Sequence, residues 1–188
     1  MPLNFKKQDI PDVVLIVPET YGDERGSFAE VFKSSEFKQF GINERFVQVN
    51  HSWSKKNVLR GLHYQLNPAA QGKYVRAVVG EILDVVVDIR KGSPWYGKNV
   101  SIILSSENRK IIYVPEGFAH GFSVLSDTAE VIYYCTGEYA QEYDRGIVWN
   151  DSDLKIDWPA NNPILSEKDA RLPILKKAEN NFIYEGEG

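Results

Sequence analysis

The sequence predicts an all-β fold, a sandwich or barrel rather than a doubly wound sheet. Short runs rich in β-branched and aromatic residues recur along the chain (VVLIV, VRAVV, ILDVVVDI, IIYV, VIYYC), the residue types that fit a pleated surface. Glycine, proline and asparagine separate these runs at short intervals. Strands do not alternate with long helical patterns, as a parallel α/β sheet would require.

Taken in order, residues 13–17 form the first extended run, and Pro18 ends it. Asp23-Glu24-Arg25-Gly26 reads as a turn leading into a strand over 27–32, with Phe28, Glu30 and Phe32 on one side. Arg25, Phe28 and Glu30 offer a cation, a ring and a carboxylate, but the same types suit an ordinary edge strand. Residues 34–40 predict a short helix, capped by Ser34 or Ser35 and ended by Gly41. In the extended piece 46–51, Gln48 and Asn50 share a face. Residues 52–57 are polar and read as a loop.

The stretch 58–73 (VLRGLHYQLNPAAQGK) predicts a hairpin through Asn67-Pro68 that would bring His63 and Lys73 to one face. Two strands follow over 75–89, parted at Gly80-Glu81. The alternation in the second predicts one well-buried face. Further strands are expected at 100–104, 110–114 and 131–135, with a turn at 107–109. Proline and glycines punctuate the approach to His120. After Asp144 the pattern weakens into an irregular arm, with a single helical turn near 166–170. One domain over 1–177 and a polar tail over 178–188 complete the division.

Composition narrows the function. The chain has 188 residues, 43% of them apolar, enough to build one core. No apolar run is long enough to span a membrane, and the first twelve residues do not read as a signal peptide. A single cysteine, Cys135, excludes an intrachain disulfide and fits a reducing compartment. A net charge of −4, with acidic and basic residues interspersed, speaks against non-specific nucleic-acid binding. It leaves room for a small anionic ligand.

Three histidines, His51, His63 and His120, show no compact zinc or iron spacing. Dinucleotide and phosphate loops are absent, and no serine or cysteine sits in a recognisable nucleophile turn. The chemistry that remains is proton transfer beside a carbonyl, which needs a base, an oxyanion stabiliser and a proton donor. His63, Lys73 and Tyr133 are of the right types. A buried structural histidine and a surface lysine are the plain alternative.

Seven runs in order, DERG with Phe28 and Glu30, LRGLHYQ, QGKYVR, GEILDVVVDIR, PEGFAHGF, YYCTGEY and WNDSDLKIDWP, resemble the dTDP-4-dehydrorhamnose 3,5-epimerase family over about residues 3–175. The resemblance implies a cupin-like jelly roll with short peripheral helices. It also implies a cytoplasmic homodimer that exchanges N-terminal strands and uses no metal or other cofactor. PEGFAHGF is similar to the second cupin motif, while Gln65 stands where the first would have a histidine. By resemblance His63 is the base, Asp169 its orienting carboxylate, Lys73 the stabiliser of the C4 enolate and Tyr133 the proton donor. Arg25 and Arg60 would contact the diphosphate and Phe28 the thymine. Glu30, Gln48, Asn50, His120 and Tyr139 would line the nucleotide or sugar pocket.

The implied reaction inverts C3 and C5 of dTDP-4-dehydro-6-deoxy-D-glucose. Single-site epimerases, metal-dependent cupins and a non-catalytic sugar-nucleotide-binding module are the rival readings. Tyr134 and Gln141 depart from the lysine and proline that the family pattern leads one to expect.

Overall fold

A computed structural model describes residues 2–186. Met1 and the end of the expected tail, Glu187 and Gly188, lie outside the described residues. Thirteen strands are described, and every ladder between them is antiparallel. One sheet takes β1 (Leu3–Lys7), β2 (Val14–Pro18), β10 (Ile111–Val114), β7 (Lys73–Val79), β12 (Thr128–Cys135) and β5 (Gln48–Lys55), in that spatial order. The second takes β13 (Asp144–Gly146), β6 (Leu59–Gln65), β11 (Phe118–Val124), β8 (Glu81–Asp88) and β9 (Asn99–Ser105). Among the described residues, β3 (Thr20–Asp23) and β4 (Gly26–Ala29) pair only with each other.

Apolar side chains from both sheets meet in one cluster. Val75, Ile112 and Val131 of the first sheet pack with Val86, Phe118 and Phe122 of the second. Burying these residues supplies the main driving force for folding, about 1.5–3 kcal/mol for each large side chain. A second cluster joins Leu62, Tyr64 and Val87 to Ile147, Leu154 and Trp158, and so fixes the irregular arm to the second sheet.

The local expectations hold in part. The helix α1 (Ser34–Phe40) forms as read and ends at Gly41, whose φ of 100° suits a residue without a Cβ. Its N-cap is Lys33 rather than a serine, with no side-chain cap bond. Glu36 in the first turn accepts instead from the Leu3 N–H at 2.9 Å. The strand expected over 27–32 stops at Ala29.

Four other expectations are corrected. Residues 52–55, read as loop, continue β5. Their inward positions are polar, so apolar periodicity does not reveal the strand. β8 is buried on both faces: Asp84 and Asp88 are 0% exposed and held by His120 and by Arg90 and Ser93. The tail is not a loose polar end as far as it is described. Phe182 is 6% exposed within the second cluster, and Ile183 bridges to Lys91.

The expected hairpin does not form either. β6 and β7 belong to different sheets, because the connection over 66–72 crosses from one sheet to the other. The consequence is the reverse of a loss, since His63 and Lys73 now approach one cleft from opposite walls.

Candidate active site

The first sheet contributes one wall. On β5 the alternation turns Gln48, Asn50, Ser52 and Ser54 inward and leaves Val49, His51 and Trp53 outside. Across the ladders Tyr133 is paired with Asn50 and Val75, and Cys135 with Gln48 and Lys73. Lys73 and Tyr133 thus come forward on neighbouring strands.

The second sheet supplies the other wall. His63 on β6 lies directly opposite His120 on β11. The strands approach closely at two glycines. A Cβ on Gly61, whose φ is +123°, would come within 2.6 Å of the Gly121 Cα, and one on Gly121 within 2.6 Å of the Arg60 carbonyl oxygen. Side chains there would push the two histidines apart.

A cavity of about 420 Å³ lies between these walls, lined by Arg60, His63, Lys73, His120, Tyr133 and Asp169 among others. An adjoining cavity of similar size, about 420 Å³, shares His63, Lys73, Tyr133 and Lys168 and adds Gln48, Asn50, Tyr139 and Asp144. The four residues expected to handle protons therefore share one cleft.

His63 Nε2 is 2.6 Å from Asp169 Oδ1. Asp169 is 3% exposed and enters from the arm through a 3-10 turn (Asp169–Arg171), its backbone N–H donating to Ser166 Oγ at 3.0 Å. Burial pushes the Asp169 carboxyl up. The bond and charge of His63, with the contributions of Ser166 and the Gly61 backbone, outweigh burial and hold it below the ordinary 3.8. A carboxylate charged at neutral pH fixes the imidazole tautomer and stabilises the imidazolium formed on proton uptake.

Desolvation depresses the Lys73 ammonium below its ordinary 10.5, while Cys135, Asp84 and Asp144 draw it back up. Such a lysine both stabilises an enolate oxygen and gives up a proton more readily than a solvated one. Desolvation raises the Tyr133 phenol, which keeps it protonated at neutral pH and able to act as an acid. A base, an anion stabiliser and an acid thus surround one volume.

The remaining expected residues divide. Arg60 reaches the cleft edge, its Nε donating to Ser54 Oγ at 3.0 Å. Gln48 Nε2 donates to Asn50 Oδ1 at 3.0 Å, and the Tyr139 N–H to Gln48 Oε1 at 2.8 Å, so both amides help shape the wall. His120 is 7% exposed and bonded through Nε2 to Asp84 Oδ2 at 2.8 Å.

Arg25, Phe28 and Glu30 do not line this cleft. Arg25 and Phe28 lie on the β3–β4 hairpin, where Arg25 pairs with Asp23 at 2.5 Å and Phe28 is 62% exposed. Glu30 just follows the hairpin, 3.9 Å from Lys33. Gln65 spends its amide on the Ala69 and Glu138 carbonyls (2.6 and 3.1 Å) and the Ala140 N–H (2.7 Å), and so holds loops. Among the described residues no cluster of three or more His, Cys, Asp or Glu is arranged to hold a metal ion.

Sequence reasoning missed Lys168, Asp144 and Asp84. Lys168 precedes Asp169 directly, so its position beside the expected carboxylate was the signal for it. Asp84, an acidic residue within an apolar strand, was the signal for a buried partner.

A sequence profile of the dTDP-4-dehydrorhamnose 3,5-epimerase family matches residues 7–177. The chain belongs to that family. A dTDP-4-dehydrorhamnose 3,5-epimerase of Shigella flexneri is 54% identical over 168 residues, covering 89% of this chain and 93% of that protein. The crystal structure of a dTDP-6-deoxy-D-glucose-3,5-epimerase from Legionella pneumophila, in complex with dTDP-4-keto-L-rhamnose, superposes with a TM-score of 0.95. It is 44% identical and covers 98% of this chain and 100% of that one. ChmJ, a 3'-monoepimerase from Streptomyces bikiniensis crystallised with dTDP-quinovose, is more distant, with 35% identity and a TM-score of 0.85 over 90% of this chain and 86% of that one.

Proposed function

We propose that this family member epimerises dTDP-4-dehydro-6-deoxy-D-glucose at C3 and C5, giving dTDP-4-dehydro-L-rhamnose. The observation that carries the reading is the convergence of the His63–Asp169 dyad, Lys73 and Tyr133 on one cleft. Identity of 54% to a 3,5-epimerase, against 35% to a 3'-monoepimerase, favours inversion at both carbons.

In the reaction, the C4 ketone of the substrate acidifies the hydrogens on C3 and C5. His63 removes one, and Asp169 stabilises the resulting imidazolium. The electron pair moves to the C4 oxygen, where Lys73 meets the negative charge. Tyr133 protonates the carbon from the opposite face, and the configuration inverts. The imidazolium of His63 then releases its proton to solvent and the Tyr133 phenolate takes one back, after which the cycle runs at the second carbon. The substrate carries its own carbonyl, so no net oxidation or reduction occurs, and exchange with solvent restores both side chains after each inversion.

Arg60, His120, Gln48, Asn50 and Tyr139 are read as substrate contacts from within the chain. Arg25, Phe28 and Glu30 are read as contacts to the nucleotide in a partner's cleft, within a homodimer that exchanges N-terminal strands. Two features support this: the β3–β4 hairpin pairs with neither sheet, and β5 carries exposed Val47, Val49 and Trp53 on or beside its free edge. We read the two sheets as a cupin-like jelly roll forming one domain over 1–177, with 178–184 docked on it. A cytoplasmic location is proposed from the single buried Cys135. Among the described residues no helix is long and apolar enough to cross a membrane.

Proton NMR of the product from the 4-keto sugar nucleotide tests the reading. Inversion at both C3 and C5 is expected. A product inverted at one centre, or unchanged substrate, would overturn it.

A further inference from the structure

The β3–β4 hairpin leaves the body of the chain just past the end of β2. Among the described residues it pairs with neither sheet, and Tyr21, Arg25 and Phe28 on it are exposed. A two-stranded hairpin with no buried face is at best marginally stable in water, so its direction must be set from outside. Among the described residues, one side-chain hydrogen bond reaches it from an element distant in the chain. Arg109 Nη2 donates to Ser27 Oγ at 2.5 Å.

The turn that carries Arg109 is closely bonded. It joins β9 to β10, and the ladder of β10 with β2 begins two residues later, at Ile111 opposite Ile16. Asn108 locks the turn. Its Oδ1 accepts from the Ser105 and Lys110 N–H groups at 3.1 and 2.9 Å, and its Nδ2 donates to the Ile103 carbonyl at 3.0 Å. Its own N–H donates to Ser105 Oγ at 3.0 Å. Arg109 takes a φ of 51°, a left-handed conformation that is uncommon and unfavourable for a residue with a Cβ. Its N–H still closes on the Ser105 carbonyl at 3.0 Å. A guanidinium on a fixed backbone thus stands at the root of the hairpin.

Ser27 and Phe28 are neighbours on β4, so their side chains leave the strand on opposite faces. Fixing Ser27 towards Arg109 therefore turns the Phe28 ring to the other side. We propose that Arg109 is a positioning residue for the nucleotide end of the substrate, acting through Ser27 on the hairpin that presents Arg25 and Phe28 to a partner's cleft. Arg109 lines neither cavity of the site and touches no reacting atom. This rests on the reading of Arg25 and Phe28 as nucleotide contacts. The nucleotide does not react, so what the hairpin contributes is equal in ground and transition states. Uniform binding of that kind shows in KM rather than in kcat.

The test uses the full chain carrying Arg109→Met, Ser27→Ala or Ser27→Thr. Arg109→Met keeps a Cβ and a long stem, so the backbone cost at this turn is unchanged. Calorimetry should show dTDP binding weakened by about 3- to 30-fold in Arg109→Met and in Ser27→Ala, the scale of one charge-assisted hydrogen bond at the surface. KM should rise in step, while kcat stays within about threefold of wild type. The double variant should bind no worse than either single one, because both cut the same bond. Ser27→Thr keeps the hydroxyl and should restore most of the affinity. Amide hydrogen exchange should quicken over 20–29 and stay unchanged in β9 and β10. Ser27 is exposed, so Ser27→Ala covers the case in which Arg109→Met fails to fold.

Phe28→Ala separates the proposal from the reading beneath it. If Phe28→Ala weakens dTDP binding while folded Arg109→Met and Ser27→Ala bind as wild type does, the proposal is overturned and the hairpin reading stands. If Phe28→Ala also binds as wild type does, the hairpin reading falls and the proposal with it. A lowered kcat with KM unchanged would overturn the proposal too, as would wild-type exchange rates over 20–29 in folded Arg109→Met.

Discussion

Replacing Asp169 with asparagine keeps the size of the side chain but removes the charge that faces His63. The hydrogen bond is 2.6 Å long and Asp169 is 3% exposed, so the imidazolium formed in the reaction meets the carboxylate in a mostly dry setting. Charge centres about 4 Å apart interact by about 4 kcal/mol at an effective dielectric of 20. The His63 side chain is 30% exposed, and solvent screening reduces this to about 2–4 kcal/mol. At 1.36 kcal/mol per decade this corresponds to roughly a 30- to 1000-fold fall in kcat. Nucleotide affinity should hold, because Asp169 faces the imidazole. Steady-state kinetics with calorimetric binding of dTDP separate the two. A folded Asp169→Asn protein with kcat within threefold of wild type would refute the reasoning. The same carboxyl is held below its ordinary 3.8, so wild type should be more stable than Asp169→Asn above that pH. The advantage should vanish as pH falls through the depressed value, because the folded carboxyl then protonates as well.

His63→Ala should retain less than about 1% of activity, the scale of a lost acid–base group, and near-normal turnover of folded protein would contradict it. Lys73 is depressed below 10.5 by burial. It should lose its proton, and kcat/KM should fall, at a lower pH than a solvated lysine would dictate. Asp84→Asn removes a charge that supports the ammonium, so it should move that alkaline limb lower still, and a limb that stays fixed or rises would count against the assignment. The charged Lys73 also costs the fold stability at neutral pH, a cost relieved as pH rises towards 10.5. Phe182→Ala should cost about 3 kcal/mol and lower Tm by about 6–12 °C, whereas a chain ending at Lys177 with unchanged Tm would show that the docked segment contributes nothing.

Local chemistry was legible in the sequence where neighbours in the chain decide the outcome. The extent of α1 and its terminating Gly41 were legible although the N-cap is Lys33 rather than Ser34 or Ser35, and most strands follow from β-branched runs. What escaped was decided by distant contacts. Residues 52–55 look like loop because their inward side chains are polar: Ser52 lines the cleft and Ser54 is buried against Arg60. The His63–Lys73 relation was read as a hairpin because sequence adjacency does not reveal which sheet a strand joins. Phe182 is one apolar residue in a polar stretch, too little signal to predict docking. Asp169 was assigned by likeness to the family, not by spacing, since 106 residues separate it from His63. The departures from the family pattern fall outside the proton-handling group. Tyr134 packs against Tyr74 and Phe46 at 5.6 and 6.1 Å between ring centres, and Gln141 opens a 3-10 turn (Gln141–Tyr143).

The central claim is that one imidazole, facing one ammonium across a shared cleft, takes hydrogen from carbon beside a ketone. Incubating the dTDP-linked 4-keto sugar with wild-type and His63→Ala protein in deuterium oxide reads that event at the carbon itself. Wild type should replace the C3 and C5 hydrogens with deuterium while the His63→Ala protein leaves both in place. Retention of both hydrogens by wild type, or equal exchange by the two proteins, would contradict the account.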